Sequence, residues 1–333
     1  MSALEHTSDA ETLGGNRLGR WLTRSLTQYT IHWLLVMAVI ILSLANSNFR
    51  QPANLLSVLR QASFLGIGAS GMTLLIINGA FDLSVAGMLG LCGVILAKLL
   101  PSVGIAPVIM IALALGIVLG VVNGLVVTKL RIPAFIATLG MMYIYMAIGF
   151  IITNGQVVPI TDAAFRSLGT GDVFGIPTPF VTMILVYVLL YIFLNHTTYG
   201  RFVRAVGSNE TAGRVAGIPV DRVRIVAFAL VGVCIGLAGV MLTAYLSSAN
   251  AIMATGFELR VIAAAVVGGT SLKGGQGTLF GTFTGALFFT VINNALNMFN
   301  VGAYWQYVAV GLIIISALGI EALRHRFTSA SHV

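Results

Sequence analysis

Few side chains in this sequence can do chemistry, and their positions narrow what that chemistry is. Ser70 lies in Gly68-Ala69-Ser70-Gly71, where a serine could act as a nucleophile if a base stood within hydrogen-bond reach. The bases to consider are His32 and His196, each near the end of an apolar run, whereas Ser70 lies well inside one. At 1.5 Å per helical residue, that is a depth mismatch of about 10–12 Å, which argues against a hydrolase. Cys92 and Cys234 sit within apolar runs and read as packing residues. The sequence carries no zinc spacing, P-loop or Rossmann glycine pattern, so the chain is expected to hydrolyse no nucleotide and to bind no metal or cofactor itself. Ten acidic residues occur, none central in an apolar run, where an ion-coupled transporter would place one. What remain are the amides Asn123, Asn293 and Asn294, which do lie within apolar runs. Each is a candidate lining group for a neutral solute, or else glue between helices.

The elements that must hold these residues are membrane helices. Of 333 residues, 58% are hydrophobic and only 8% charged, with a mean hydropathy of +0.98. A soluble domain carries about 25% charged residues, so a soluble enzyme is excluded. Spans are predicted near 29–46, 61–77, 85–100, 105–128, 132–152, 179–196, 225–246, 259–269, 278–298 and 304–323. The fold class is therefore an all-α polytopic membrane protein with about ten transmembrane helices. Residues 1–28 form a predicted cytoplasmic tail, 29–323 the membrane domain with a loop at 197–224, and 324–333 a second cytoplasmic tail. In the first tail, Leu18, Trp21, Leu22 and Leu26 share a face among arginines, so it is open to reading as an interfacial helix or a solvated segment. Thirteen of the 18 Lys and Arg fall on the cytoplasmic side of this scheme, as the positive-inside rule requires of a multi-pass inner-membrane protein. The net charge of +8 is spread between apolar runs, which points away from nucleic acid.

Two short segments are punctuated by glycine. The first, residues 78–87, contains Gly79, Asp82 and Ser84; the second, residues 268–277, contains Gly268, Gly269, Gly274 and Gly275. Each follows an apolar run, at a similar place in its half of the chain. Broken segments in matching positions point to related halves around a translocation path. Asp82 could bind substrate, but the leading expectation is a helix N-cap whose carboxylate accepts from the amides near Ser84 and Val85.

The loop at 197–224 has helical character from Asn209 to Ala216. Asn209 is a good cap, Glu210 suits the first turn, and Gly217 followed by Pro219 ends it. Arg201, Arg204 and Arg214 supply positive charge, while Ala212 and Ala216 are small enough for a helix that docks closely into a partner. A solvated loop is the plainer reading of the same residues.

Asp82-Leu83-Ser84-Val85, the loop from Gly207 to Ile218, and the stretch from Ile262 to Gly277 together resemble the ribose-type permeases of bacterial ABC sugar importers. The resemblance extends over about residues 29–323. It implies a permease that pairs with a second copy or a related chain and contacts two ATPase subunits or one tandem ATPase. It also implies a lipid-embedded subunit that receives a monosaccharide or polyol from an extracytoplasmic binding protein. ATP and magnesium would then sit on the ATPase, and the segment from Gly207 to Gly217 would match the helix that couples to it. The alternative function class is an ion-coupled secondary transporter.

One position departs from that family. Where it usually reads Glu-Leu-Asp, this chain reads Glu258-Leu259-Arg260. The pair Glu258 and Arg260 is expected at the outer mouth of the eighth span. Docking of the binding protein is the leading expectation, with substrate selection and structural anchoring also open.

Overall fold

The computed structural model describes residues 30–302, 304–306, 308–313, 315, 316 and 319. The chain is helical nearly throughout, as its unbroken apolar runs require where lipid cannot satisfy backbone polar groups. Helix α1 spans Thr30–Ala45 and leads through a 3-10 turn at Ser47–Arg50 into α2, Pro52–Ile77. Then follow α3 (Val85–Val103), α4 (Ile105–Lys129), α5 (Ala134–Thr153) and the short α6 (Ala163–Thr170). Helix α7 (Thr178–His196) precedes two helices in the long loop, α8 (Thr198–Ser208) and α9 (Glu210–Val215). The last full elements are α10 (Val220–Leu246), the 11-residue α11 (Phe257–Val267) and α12 (Leu279–Met298). Described residues from 304 onward are helical again.

Seven of these helices, α2, α3, α4, α5, α7, α10 and α12, are long and apolar enough to cross a membrane. The protein is therefore a polytopic helical membrane protein, as the composition predicts. Helix α1, with 16 residues, and α11, with 11, fall short of the usual span. The segment 304–323 is only partly described, and the predicted interfacial helix before residue 29 lies outside the described residues.

Helix α2 runs through the centre. From Ala62 to Ile77 every residue is buried, with α7, α10, α11 and α12 around it. It begins nine residues earlier than the apolar run alone suggests. Asn54, Ser57, Arg60 and Gln61 make its first turns polar, and Pro52 at its start fixes the helical φ. Those turns project past the apolar core, where Arg60 pairs with Asp172 at 3.2 Å.

Helices α4 and α10 are the tightest pair. Gly116 and Gly232 face each other so closely that a β-carbon on either would overlap the other's carbonyl oxygen. Close backbone approach of this kind supplies the van der Waals contact that drives association in lipid. Two short antiparallel pairings, Val158–Pro159 with Ser248–Ala249 and Asp172–Val173 with Ile176–Pro177, close the end of the molecule opposite the long loop.

Candidate functional site

At the loop end, three stretches far apart in sequence come into backbone contact. Ile77 ends α2, and its carbonyl accepts a 2.8 Å hydrogen bond from the Gly275 amide in the second glycine segment. Gly207, in the last turn of α8, packs against both, and a β-carbon there would overlap the Ile77 carbonyl oxygen. A β-carbon on Gly274 would stand 3.1 Å from the Gly79 α-carbon. The two glycine segments thus meet each other and the start of the long loop. Gly269 and Gly274 adopt positive φ, 89° and 85°, in the turns of the second segment. Gly268 packs against Gly281 at the start of α12.

The first glycine segment is fastened from within. Asp82 is 0% exposed, and its Oδ1 accepts from the Ser84 amide at 2.7 Å. The expected contact with that amide is present, as a local turn just ahead of α3. The Asn123 amide on α4 donates to Asp82 Oδ2 at 2.8 Å and to Ser84 Oγ at 2.7 Å. Tyr145 on α5 donates to Asn123 Oδ1 at 2.8 Å. The Leu83 amide donates to Thr138 Oγ1, also on α5, at 3.0 Å. The Ser84 amide and the Asn123 side chain both donate to the carboxylate, so its burial is offset by hydrogen bonds. The Asn123 side chain is committed to protein partners.

Asn293 and Asn294 lie elsewhere, on α12. Asn293 donates back to the Phe289 carbonyl of its own helix at 2.9 Å. Asn294 and Asn54 of α2 form a reciprocal amide pair, 2.8 and 3.2 Å, tying α12 to α2 near the end opposite the loop.

The long loop carries one helix that sequence reasoning missed. The helix α8 starts where the Thr197 hydroxyl accepts from the Gly200 amide at 3.1 Å. A Thr followed by a Gly-Arg pair resembles a simple turn, which hides the cap. The predicted helix is present as α9, where Asn209 Oδ1 accepts from the Ala212 amide at 2.9 Å and Gly217 ends it at φ 79°. Ala212, Val215 and Ala216 are all exposed, Val215 by 86%. Arg204 turns inward to Asn195 Oδ1 and the Gly277 carbonyl, whereas Arg201 stays exposed.

An ion-pair cluster ties α9 to the membrane helices. Glu210 pairs with Arg214 at 2.9 Å and with Arg224 on α10 at 2.8 Å. Asp221 joins Arg214 at 2.9 Å to Lys129, the last residue of α4, at 3.1 Å. The hydrogen bond from Arg224, aided by Arg214, holds the Glu210 carboxyl below the usual glutamate range despite some desolvation. A cavity of about 750 Å³ opens beside the cluster, lined also by Gly79, Ala80 and Arg131. Among the described residues, no group of three or more His, Cys, Asp or Glu could hold a metal.

Residues 54–318 match the family described as "Branched-chain amino acid transport system / permease component". This chain belongs to that permease family. It is 40% identical over 293 residues to the ribose import permease protein RbsC of Bacillus subtilis (strain 168), covering 86% of this chain and 90% of that protein. To RbsC of Escherichia coli (strain K12) it is 39% identical over 318 residues, covering 93% and 98%. To the L-arabinose transport system permease protein AraH of the same organism it is 37% identical over 299 residues, covering 88% and 90%. No solved structure matches it. A permease component is a transport subunit, not an enzyme, and a separate ATPase supplies the work.

Proposed function

We infer that this chain is the membrane permease of an ABC sugar importer and carries a monosaccharide or related polyol. Its nearly full-length likeness to ribose and arabinose permeases supports that substrate class. The observation that carries the mechanism is the junction of Ile77, Gly207 and Gly275, which joins the long loop to both glycine segments. An ATPase closing on the exposed small face of α9 would push through the Glu210–Arg224 and Asp221–Lys129 pairs into α10 and α4. The same displacement would reach the glycine segments at Gly207. Coupling then runs through packed helices with two arrangements, outward-open and inward-open.

In this reading the loop end faces the cytoplasm of the bacterial inner membrane, and both termini lie on that side. The seven long helices are joined by α1, the half-length α11 and the segment after residue 303 to make ten passes in two related halves. The permease works as a dimer, with a second copy or a related chain, alongside two ATPase subunits or a tandem ATPase, which bind ATP and magnesium. A binding protein delivers sugar at the opposite face. Co-purification of the chain with its ATPase, followed by binding-protein-dependent sugar uptake in vesicles, tests the proposal. Uptake driven by an ion gradient without ATP would overturn it.

A further inference from the structure

Charged side chains gather toward the two ends of the molecule. On α11, Ala264 faces Gly285 and Gly268 faces Gly281 of α12, an antiparallel register that sets Glu258 level with Val291. Val291 packs with Phe49 and Val58 beside the Asn54–Asn294 pair, so Glu258 and Arg260 lie near the end opposite the long loop. Arg60 and Asp172 pair at that end as well. At the loop end the charges surround a cavity instead, and they do not balance.

The cavity of about 750 Å³ is lined by four cations, Lys129, Arg131, Arg214 and Arg224, against two carboxylates, Glu210 and Asp221. Each carboxylate is already held by two of the cations, Glu210 by Arg214 and Arg224, and Asp221 by Arg214 and Lys129. Arg131 makes no ion pair among the described residues, and the lining keeps a positive excess. Donors are left over too. Arg214 spends Nε and Nη2 on the carboxylates, which leaves Nη1. The Arg224 Nε is enclosed and donates to no described residue. Arg131 itself is held at φ 56°, a left-handed backbone uncommon for any residue but glycine.

The depth of the cavity follows from the turn that carries Arg131. Lys129 ends α4 and Ala134 begins α5, both long and apolar enough to cross a membrane, so the turn between them lies at the water boundary. Next to the lining residues in sequence, Leu130, Phe135 and Ile136 are each more than half exposed. On α9, Glu210 and Arg214 share one face, and Ala212 lies on the opposite face, which leaves the small docking surface clear. A cationic cavity at headgroup level, flanked by exposed apolar side chains, suits a ligand that joins a phosphate to hydrocarbon. We propose that this cavity binds the phosphate of an anionic phospholipid, with Lys129 and Arg131 reaching it from the α4–α5 turn and Arg214 and Arg224 from the loop side. Guanidinium forks match phosphate oxygens in pairs, and the positive excess selects an anionic headgroup over a zwitterionic one. The bound lipid would join the α4–α5 turn to α9. Such a site needs only the membrane-spanning fold, whatever solute the permease carries.

Titration of the detergent-solubilised permease–ATPase complex with a fluorescent phosphatidylglycerol tests this. Binding should saturate, and unlabelled phosphatidylglycerol should displace the probe where phosphatidylcholine and inorganic phosphate do not. Arg131→Gln should weaken binding about fivefold, the loss expected for one basic contact to an anionic headgroup. Arg131→Lys should keep most of the affinity. Arg166→Gln, exposed on α6 at the opposite end, should keep all of it. Leu130→Ser should weaken the lipid probe by removing a hydrocarbon contact. An unchanged affinity in Arg131→Gln, or an equal loss in Arg166→Gln, would overturn the site. So would displacement by phosphatidylcholine as readily as by phosphatidylglycerol. Displacement by inorganic phosphate, with Leu130→Ser unaffected, would assign the cavity to free phosphate and overturn the lipid.

Discussion

The amide of Gly275 donates to the carbonyl of Ile77 across 2.8 Å, joining the second glycine segment to the end of α2, almost two hundred residues away in sequence. Gly207 completes this contact because it has no side chain. Gly207→Ala should therefore force the backbones apart and lower stability by about 1–3 kcal/mol, the usual range for overpacking. Gly213→Ala, in α9, is the matched control, since a β-carbon there meets nothing nearer than 3.7 Å. Thermal unfolding of both variants in detergent reads the difference. Equal melting temperatures would show that the junction tolerates a methyl group.

The Tyr145 hydroxyl secures Asn123, which in turn secures Asp82. Tyr145→Phe should leave the Asn123 Oδ1 buried without its donor and cost about 1–3 kcal/mol. Asp82→Asn should cost less than Asp82→Ala, because an amide oxygen can still accept from Ser84. Melting temperature and membrane yield would check both, with the order Ala below Asn below parent.

Glu210 gives the loop a pH dependence of definite sign. Its folded pKa lies below the ordinary 4.5, chiefly through the bond from Arg224. The contribution is full at neutral pH and fades as pH falls below 4.5 through the folded value. The Glu210 side chain is 40% exposed, so solvent screening keeps the effect below about 1 kcal/mol, and it should shrink further in high salt. Amide-exchange protection across 209–217, taken relative to the intrinsic rate at each pH, should fall in acid for the parent, whereas Glu210→Gln should already show reduced protection at neutral pH.

Ala212 and Ala216 are exposed on α9, where a docking groove would need small residues. Replacing either with Trp should leave folding intact and abolish sugar-stimulated ATP hydrolysis in the reconstituted complex. Normal stimulation in both would remove α9 as the contact.

Topology offers a separate check. Arg166→Cys and Arg201→Cys should label from opposite sides of intact cells, with Arg166→Cys outside. Labelling from one side only would break the ten-pass arrangement.

The sequence makes some of this legible and conceals the rest for physical reasons. Asn209 and the Asp82–Ser84 turn are visible because caps act over two or three residues. Apolar runs mark most helices to within two or three residues, since length and burial in lipid impose them. The start of α2 at Pro52 is hidden because its first turns leave the apolar layer and turn polar. Tyr145 escapes notice because its partner lies 22 residues away on another helix, and nothing local marks the pairing. The Asn54–Asn294 pair, 240 residues apart, is hidden for the same reason.

Gly116 and Gly232 leave α4 and α10 no room to slide past one another, and Lys129 and Asp221 tie the same two helices at their loop ends. The two therefore form one stiff strut, and tilting either carries the other with it. Under the coupling proposed above, a shove on α9 would reach both helices together rather than loosening one against the other.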